Sequence, residues 1–232
     1  MDLTKLQHQW IELYYKMSRA PDLVAEKLAA PFLSTLTEEN KQNHSRNVLY
    51  IGKATAKDWY KPNFEAEPTV QARHQKTCEF LQWIEGGGST SAFWRLGKRF
   101  NDLMAQKQTA SLSNLIWTNI AKIGVDRGNP SRTYLRHQQE LAILTLIEEI
   151  KGYKPKLIVF VSSDYAKDIV REVFQSFDAD QDDPSWIKND EHIWWRPALG
   201  QLPFVACVGH PQRKTCQTLD TWFSTIRTEA GL

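Results

Sequence analysis

Cysteine is scarce in this sequence, and the three that occur, Cys78, Cys207 and Cys216, are far apart and form no CxxC pair. An odd number of scattered cysteines argues against a disulfide framework, a zinc site and an iron–sulfur cluster. Such cysteine usage is typical of a reducing compartment. We therefore expect a cytoplasmic protein without a bound metal ion or other cofactor.

The sequence also lacks the signals of three other protein classes. No apolar run approaches the ~20 residues of a membrane-spanning helix, and residues 1–20 are too polar for a signal peptide. The net charge of +2 leaves no polycationic tail, so any contact with nucleic acid must come from a local basic face. Neither GxGxxG nor GxxxxGK occurs, which argues against a common phosphate-binding loop.

What the chain does contain is an alternation of strand-like and helix-like segments over its 232 residues. This alternation predicts an α/β fold, a three-layer α/β/α sandwich with a central, mainly parallel, four-stranded sheet. We expect one domain, residues 1–232, with an N-terminal helical extension over about 1–45. Strand-like segments lie at 47–51, 114–119, 157–161, 193–195 and 203–208. Helix-like segments lie at 3–17, 21–31, 69–84, 90–105, 131–150, 164–177 and 214–228.

Segment 114–119 (NLIWTN) shows how a predicted strand carries polar groups to the edge of the sheet. Its apolar run ends on Thr118 and Asn119. Ligands of open α/β folds usually bind at the carboxyl ends of the parallel strands. The amide of Asn119 has two donor hydrogens and an acceptor, which suits the edge of a nucleobase. The alternative is that Asn119 only fixes the loop after the strand.

Three other predicted strands end in similar turns. Because right-handed crossovers place the ends of parallel strands at one edge, we predict that Thr55, Asn119 and His210 surround a single hollow. Glycine-containing turns can also approach a ligand closely and present backbone amides to an anion. The three turns are Gly52-Lys53-Ala54-Thr55, Ser162-Ser163 and Gly209-His210-Pro211-Gln212.

The order of these motifs resembles the uracil-DNA glycosylase superfamily, most closely its iron–sulfur-bearing branch, over residues 48–218. Residues 48–55 (VLYIGKAT) stand where the family has a strand ending in Gly-Glu-Ala-Pro or Gly-Gln-Asp-Pro. The pair His210-Pro211 matches the family's closing His-Pro-Ser motif. Between these two motifs, further segments follow one another in the same order as in the family. They are a glycine-bearing entry to a helix at 87–103, the segments 118–122 and 128–130, Glu140, and the segment 154–159.

The resemblance implies a DNA-repair hydrolase that flips a damaged or modified base out of DNA and breaks its N-glycosidic bond. Asn119 would read the edge of the base and His210 would donate a hydrogen bond to a base carbonyl, as the catalytic pair. Other residues expected to bind the substrate are Gly52, Lys53, Ala54, Thr55, Asp58, Trp59, Tyr60 and Thr118. Residues expected to contact DNA are Arg95, Gln212, Arg213 and Lys214.

Each of these side chains also has a simpler interpretation. His210 can merely fix the turn at Pro211, and Lys53 can be a solvated loop lysine. Asp58 can be an exposed loop residue, and the aromatic residues that follow it can pack the same loop. Arg95 belongs to a cluster of charges on one predicted helix, and such a cluster is most often a solvated face.

Two departures from the family pattern leave two hypotheses open. Lys53 and Ala54 occupy the positions where the family commonly has an acidic residue that activates water. Ala142 lies near the position where the iron–sulfur-bearing branch has a cysteine that binds its cluster. The last motif reads His-Pro-Gln. The chain is therefore either a DNA glycosylase that works without this carboxylate or a catalytically inactive module that binds a nucleobase.

Overall fold

The computed structural model describes residues 3–23, 28–34, 47–55, 69–108, 111–126, 128–177, 186–188, 193–200, 202–212 and 214–232. Within these ranges the helices are α1 (Leu3–Ser18), α2 (Val70–Glu85), α3 (Ala92–Ala105), α4 (Arg132–Tyr153), α5 (Lys167–Gln175) and α6 (Cys216–Glu229). The strands are β1 (Val48–Ala54), β2 (Leu115–Ala121), β3 (Leu157–Val161), β4 (Ile187–Lys188), β5 (Trp194–Arg196) and β6 (Phe204–Val208).

These strands form one mixed sheet with the order β2-β1-β3-β6-β5-β4. The first four are mutually parallel, and β5 and β4 extend the sheet in antiparallel pairing. The predicted α/β architecture and the five predicted strands are confirmed. The predicted number of four strands in the sheet is wrong, because β5 pairs antiparallel with β6 and the short, exposed β4 pairs antiparallel with β5.

Alternation along the parallel strands buries both faces of the sheet. On β1, Val48 and Tyr50 join one apolar cluster, whereas Leu49 and Ile51 join another on the opposite face. Helices α2, α3 and α6 contribute to the first cluster, and α4 and α5 contribute to the second. The sheet is therefore covered by helices on both sides.

The helix predictions are confirmed except at their ends and in segment 21–31. Helix α5 begins at Lys167 rather than at 164, because Ser163 and Ala166 both have positive φ and make a turn there. Ser131 caps α4 as predicted, with its hydroxyl accepting a hydrogen bond from the amide of Tyr134. The centre of the short helix predicted at 21–31 lies outside the described residues.

The N-terminal helix α1 packs against α4 through a third apolar cluster. Trp10 is fully buried there, and its indole Nε1 donates a hydrogen bond of 2.8 Å to Oγ1 of Thr145. Farther along, the backbone amide of Phe32 donates to the carbonyl of Lys122 at 2.8 Å. The N-terminal segment thereby contacts both α4 and the loop that follows β2. Across the described ranges, no helix has the length and hydropathy needed to cross a membrane.

A buried ion pair lies between β2 and α4. Nζ of Lys122 is 2.8 Å from Oε1 of Glu149, and both side chains are about 1% exposed. The hydroxyl of Thr118 donates to the same carboxylate at 3.0–3.1 Å, and that of Ser34 donates at 2.5 Å. Lys122 also donates to the Thr118 hydroxyl. Buried charges are tolerated when they are paired and hydrogen-bonded in this way.

Removing one partner of this pair should cost more than removing both. The substitution Glu149→Leu leaves the Lys122 ammonium buried without a counter-charge, and we expect a loss of about 3–5 kcal/mol in the free energy of unfolding. The double substitution with Lys122→Met should cost less than the sum of the two single substitutions. Urea unfolding of the single and double variants measures this coupling.

The control is the exposed pair of Lys76 and Glu79 on α2, with 3.6 Å between charged atoms. Lys76→Met should change the free energy of unfolding by less than about 1 kcal/mol. Additive losses for the buried pair would contradict the account of the ion pair.

Candidate functional site

The carboxyl ends of β1 and β2 meet at Gly52 and Asn119, which are directly paired across the two strands. A Cβ atom at position 52 would lie 2.4 Å from Oδ1 of Asn119 and 3.3 Å from Cζ of Phe93. No side chain other than the hydrogen of glycine fits there without displacing its neighbours. The glycine therefore makes room for the Asn119 amide.

Asn119 is a buried amide with an unused donor. Its side chain is 1% exposed, and its Nδ2 has no hydrogen-bond partner within the described part of the chain. An unsatisfied buried donor costs about 1–3 kcal/mol. Such a group is expected where a ligand supplies the missing acceptor.

The predicted neighbour Thr118 lies on the opposite face of β2, since successive side chains of a strand alternate. Its hydroxyl is held by Lys122 and Glu149 in the buried network. At the end of β2, therefore, Thr118 belongs to the buried core, and Asn119 lies on the other face beside Gly52.

Phe93, near the start of α3, links this edge to His210. The Phe93 and His210 rings are nearly parallel, with an interplanar angle of 19° and centroids 6.4 Å apart. The phenol of Tyr50 donates to the carbonyl of Phe93 at 2.8 Å and fixes the start of the helix. Asn119, Phe93 and His210 therefore line one continuous region, called here the edge site.

Phe93 is not among the site residues predicted from the sequence. The signal that could have found it is its position just after the N-cap Ser91, next to the glycine-rich break at 86–88. A helix start at that point brings its first aromatic side chain over the ends of the strands.

His210 is held as a neutral hydrogen-bond donor. The backbone amide of Gln212 donates to Nδ1 of His210 at 3.2 Å, so the neutral ring carries its proton on Nε2. Burial, and secondly the charge of Lys53, lower the pKa of His210 below 6.5. The imidazole is therefore uncharged at neutral pH, with Nε2–H available for an acceptor.

Lys53 lies on the side of the edge near the loop after β3. Its Nζ is 5.7 Å from the centre of the Tyr165 ring, and the side chain is half-buried. Burial lowers the pKa of Lys53 from its ordinary value. The charge of Lys53 lowers the pKa of His210, so the two side chains are close enough to interact electrostatically. Lys53 therefore places positive charge in the same region as the imidazole.

The remaining predicted residues take different places. Ala54 is half-buried, whereas Thr55 is buried with its backbone and hydroxyl against Gly124 in the loop after β2. Its hydroxyl has no hydrogen-bond partner within the ranges described. Arg95, Gln212 and Lys214 are exposed. The predictions for Asp58, Trp59, Tyr60 and Arg213 fall outside the described residues.

The polar groups of the edge site are the ammonium of Lys53, the imidazole of His210 and the amide of Asn119. In the part of the chain that the structure describes, no carboxylate makes a hydrogen bond or ion pair with Asn119 or His210. The site can donate hydrogen bonds, stack a ring against Phe93 and stabilise negative charge. It is therefore suited to a planar ligand that carries carbonyl groups.

Comparison with known proteins gives no family assignment: no protein-family model matches the sequence, and no curated protein matches it either.

The close approach at Gly52 can be tested with a single methyl group. Gly52→Ala places its Cβ against the Asn119 amide and Phe93, and we expect a loss of about 1–3 kcal/mol from overpacking. Thermal or urea unfolding measures the loss. Gly152→Ala in α4 is the matched control, because its Cβ meets nothing within 4 Å. It should leave stability unchanged or raise it. Equal effects of the two substitutions would contradict the packing described here.

The charge of Lys53 should be visible in the titration of His210. Lys53→Met removes that charge, so the pKa of His210 should rise toward 6.5, while burial still holds it below. Histidine NMR measures the pKa. Since the folded-state pKa lies below the unfolded value, His210 favours folding above pH ~6.5 and this contribution fades as pH falls through the folded pKa. An unchanged pKa in Lys53→Met, as in the distant control Lys5→Met, would contradict the coupling.

Proposed function

We propose that this chain is a uracil-DNA glycosylase-like protein that binds a nucleobase flipped out of DNA in the edge site and hydrolyses its N-glycosidic bond. The observation that carries the proposal is the buried, unpartnered Nδ2 donor of Asn119 beside Phe93 and the neutral His210. The parallel strands β2-β1-β3-β6 with helices on both faces are consistent with such a fold.

Base recognition follows from the geometry of three side chains. The amide of Asn119 pairs with the donor and acceptor groups on one edge of the base. The ring of Phe93 provides a stacking surface, as aromatic side chains do for flipped bases. Nε2–H of His210 donates to a base carbonyl.

The bond-breaking step needs negative charge stabilised on the departing base. A water oxygen bonds to C1′ of the sugar as the bond from C1′ to the base nitrogen breaks, and the electron pair of that bond leaves with the base. The water loses its proton to solvent. Negative charge on the base carbonyl is stabilised by the Nε2–H of His210 and by the positive charge of Lys53.

Contacts with the DNA backbone come from exposed cations. Arg95 on α3 and Lys214 after the His210 turn are both exposed, and Gln212 lies between His210 and Lys214 in sequence. Phosphate contacts position DNA without reading its sequence. The net charge of only +2 gives a modest, local interaction that weakens as salt rises.

The second candidate is a catalytically inactive module that binds the same base. The observation in its favour is that Lys53 and Ala54 stand where the resembled family has an acidic residue. An ammonium group does not activate water at neutral pH unless its pKa is strongly lowered. Both candidates use Asn119 and His210 to bind the base, and they differ in whether the bond breaks.

The experiment is release of free base from oligonucleotides that contain uracil, hypoxanthine, xanthine or hydroxymethyluracil. With the wild-type chain we expect release of one of these bases. Asn119→Asp exchanges the donor for an acceptor at constant shape and should lower the rate at least tenfold. His210→Ala removes the Nε2–H donor and should lower the maximal rate by about 10²–10³, the range found for loss of one such donor.

Matched controls make the same chemical changes on the surface. Gln82 on α2 and His8 on α1 are exposed, and the variants Gln82→Glu and His8→Ala should both keep wild-type rates. Base-dependent binding without release, weakened by Asn119→Asp, would favour the inactive module. The absence of both binding and release for all four bases would contradict the proposed function.

A further inference from the structure

A cavity of about 150 Å³ lies on the face of the sheet opposite Asn119, between α5 and strands β5 and β6. The edge site does not use it. Its walls come from the first turns of α5, from the antiparallel extension of the sheet and from β6. The side chains that define it are Lys167, Val170, Arg171, Trp186, Trp194 and Cys207.

The size and walls of this cavity suit one aromatic ring. A protein cavity of about 150 Å³ can hold a single benzene-sized ligand. Two half-buried indoles, Trp186 and Trp194, contribute flat surfaces, and Trp186 is fixed edge-on against Phe174 with centroids 5.8 Å apart. Burial raises the pKa of the Cys207 thiol, so this residue forms an uncharged wall.

The rim of the cavity is cationic. Lys167 and Arg171 are four residues apart on α5 and so lie on the same face of the helix, with Val170 between them. Both side chains are exposed, and neither forms an ion pair within the ranges that the structure describes. Paired cations of this kind recognise phosphate groups.

We propose that this cavity is a second binding site, for a pyrimidine mononucleotide, with the base between the indoles and the phosphate on Lys167 and Arg171. Aromatic walls alone would accept any apolar ring, and the two cations add the requirement for an anion. Ser163, which also borders the cavity, adds a hydroxyl for hydrogen bonding. The proposal does not depend on the function of the edge site.

The site is tested by titrating the full chain with uridine 5′-monophosphate while the indole NMR signals of Trp186 and Trp194 report binding in this cavity separately from the edge site. We expect one saturating curve at these indoles, with the double variant Lys167→Gln/Arg171→Gln weakening the affinity at least tenfold. Trp194→Leu should also weaken binding. Uridine and inorganic phosphate, each tested alone with the same indole signals, should bind the cavity at least tenfold more weakly than the mononucleotide, since each engages only half of it.

Two controls separate this site from the edge site. Lys5→Gln removes an exposed cation from α1 and should leave the affinity unchanged. Asn119→Asp alters the edge site and should also leave it unchanged. The proposal is overturned if uridine 5′-monophosphate does not bind, if phosphate alone binds as tightly, or if Asn119→Asp abolishes binding while the double variant retains it. Thermal unfolding of each variant establishes that it is folded.

Discussion

The architecture of the edge site depends on residue 52 being glycine, which has no side chain. Gly52 leaves the space into which the amide of Asn119 projects, and the same space brings Phe93 close to the end of β1. Any larger residue at position 52 would push against a buried polar group and an aromatic ring at once. A parallel sheet makes this arrangement stable, because the backbone hydrogen bonds between β1 and β2 hold positions 52 and 119 side by side.

Because successive side chains of β2 point to opposite faces of the sheet, one face contributes to the buried core and the other to the edge site. Thr118 turns toward α4 and is enclosed by Lys122 and Glu149, whereas Asn119 turns toward α3 with a donor unused. On one face the polar groups of Thr118, Lys122 and Glu149 are paired with one another, and on the other face the Asn119 amide retains an unsatisfied donor. A firmly held strand therefore positions the amide, which is what recognition of a planar ligand requires.

Much of the fold was predictable, because its signals are local. The run 114–119 indicated β2, and Ser131 indicated the start of α4, since apolar periodicity and caps act over a few residues. Strand β4 has no such signal in the sequence, because its two exposed residues form a strand only by pairing with β5. The pairing of Lys122 with Glu149 and the approach of Phe93 to His210 also depend on contacts between residues distant in the chain. Local patterns do not specify these contacts.

The central claim is that Asn119 and His210 bind one planar ligand between them. The most direct measurement is an NMR titration with free uracil that follows the side-chain amide of Asn119, the ring of Phe93 and Nε2–H of His210. All three signals should shift together along one saturating curve. Shifts confined to one of the three groups, or to exposed residues such as Arg95 and Lys214, would contradict it.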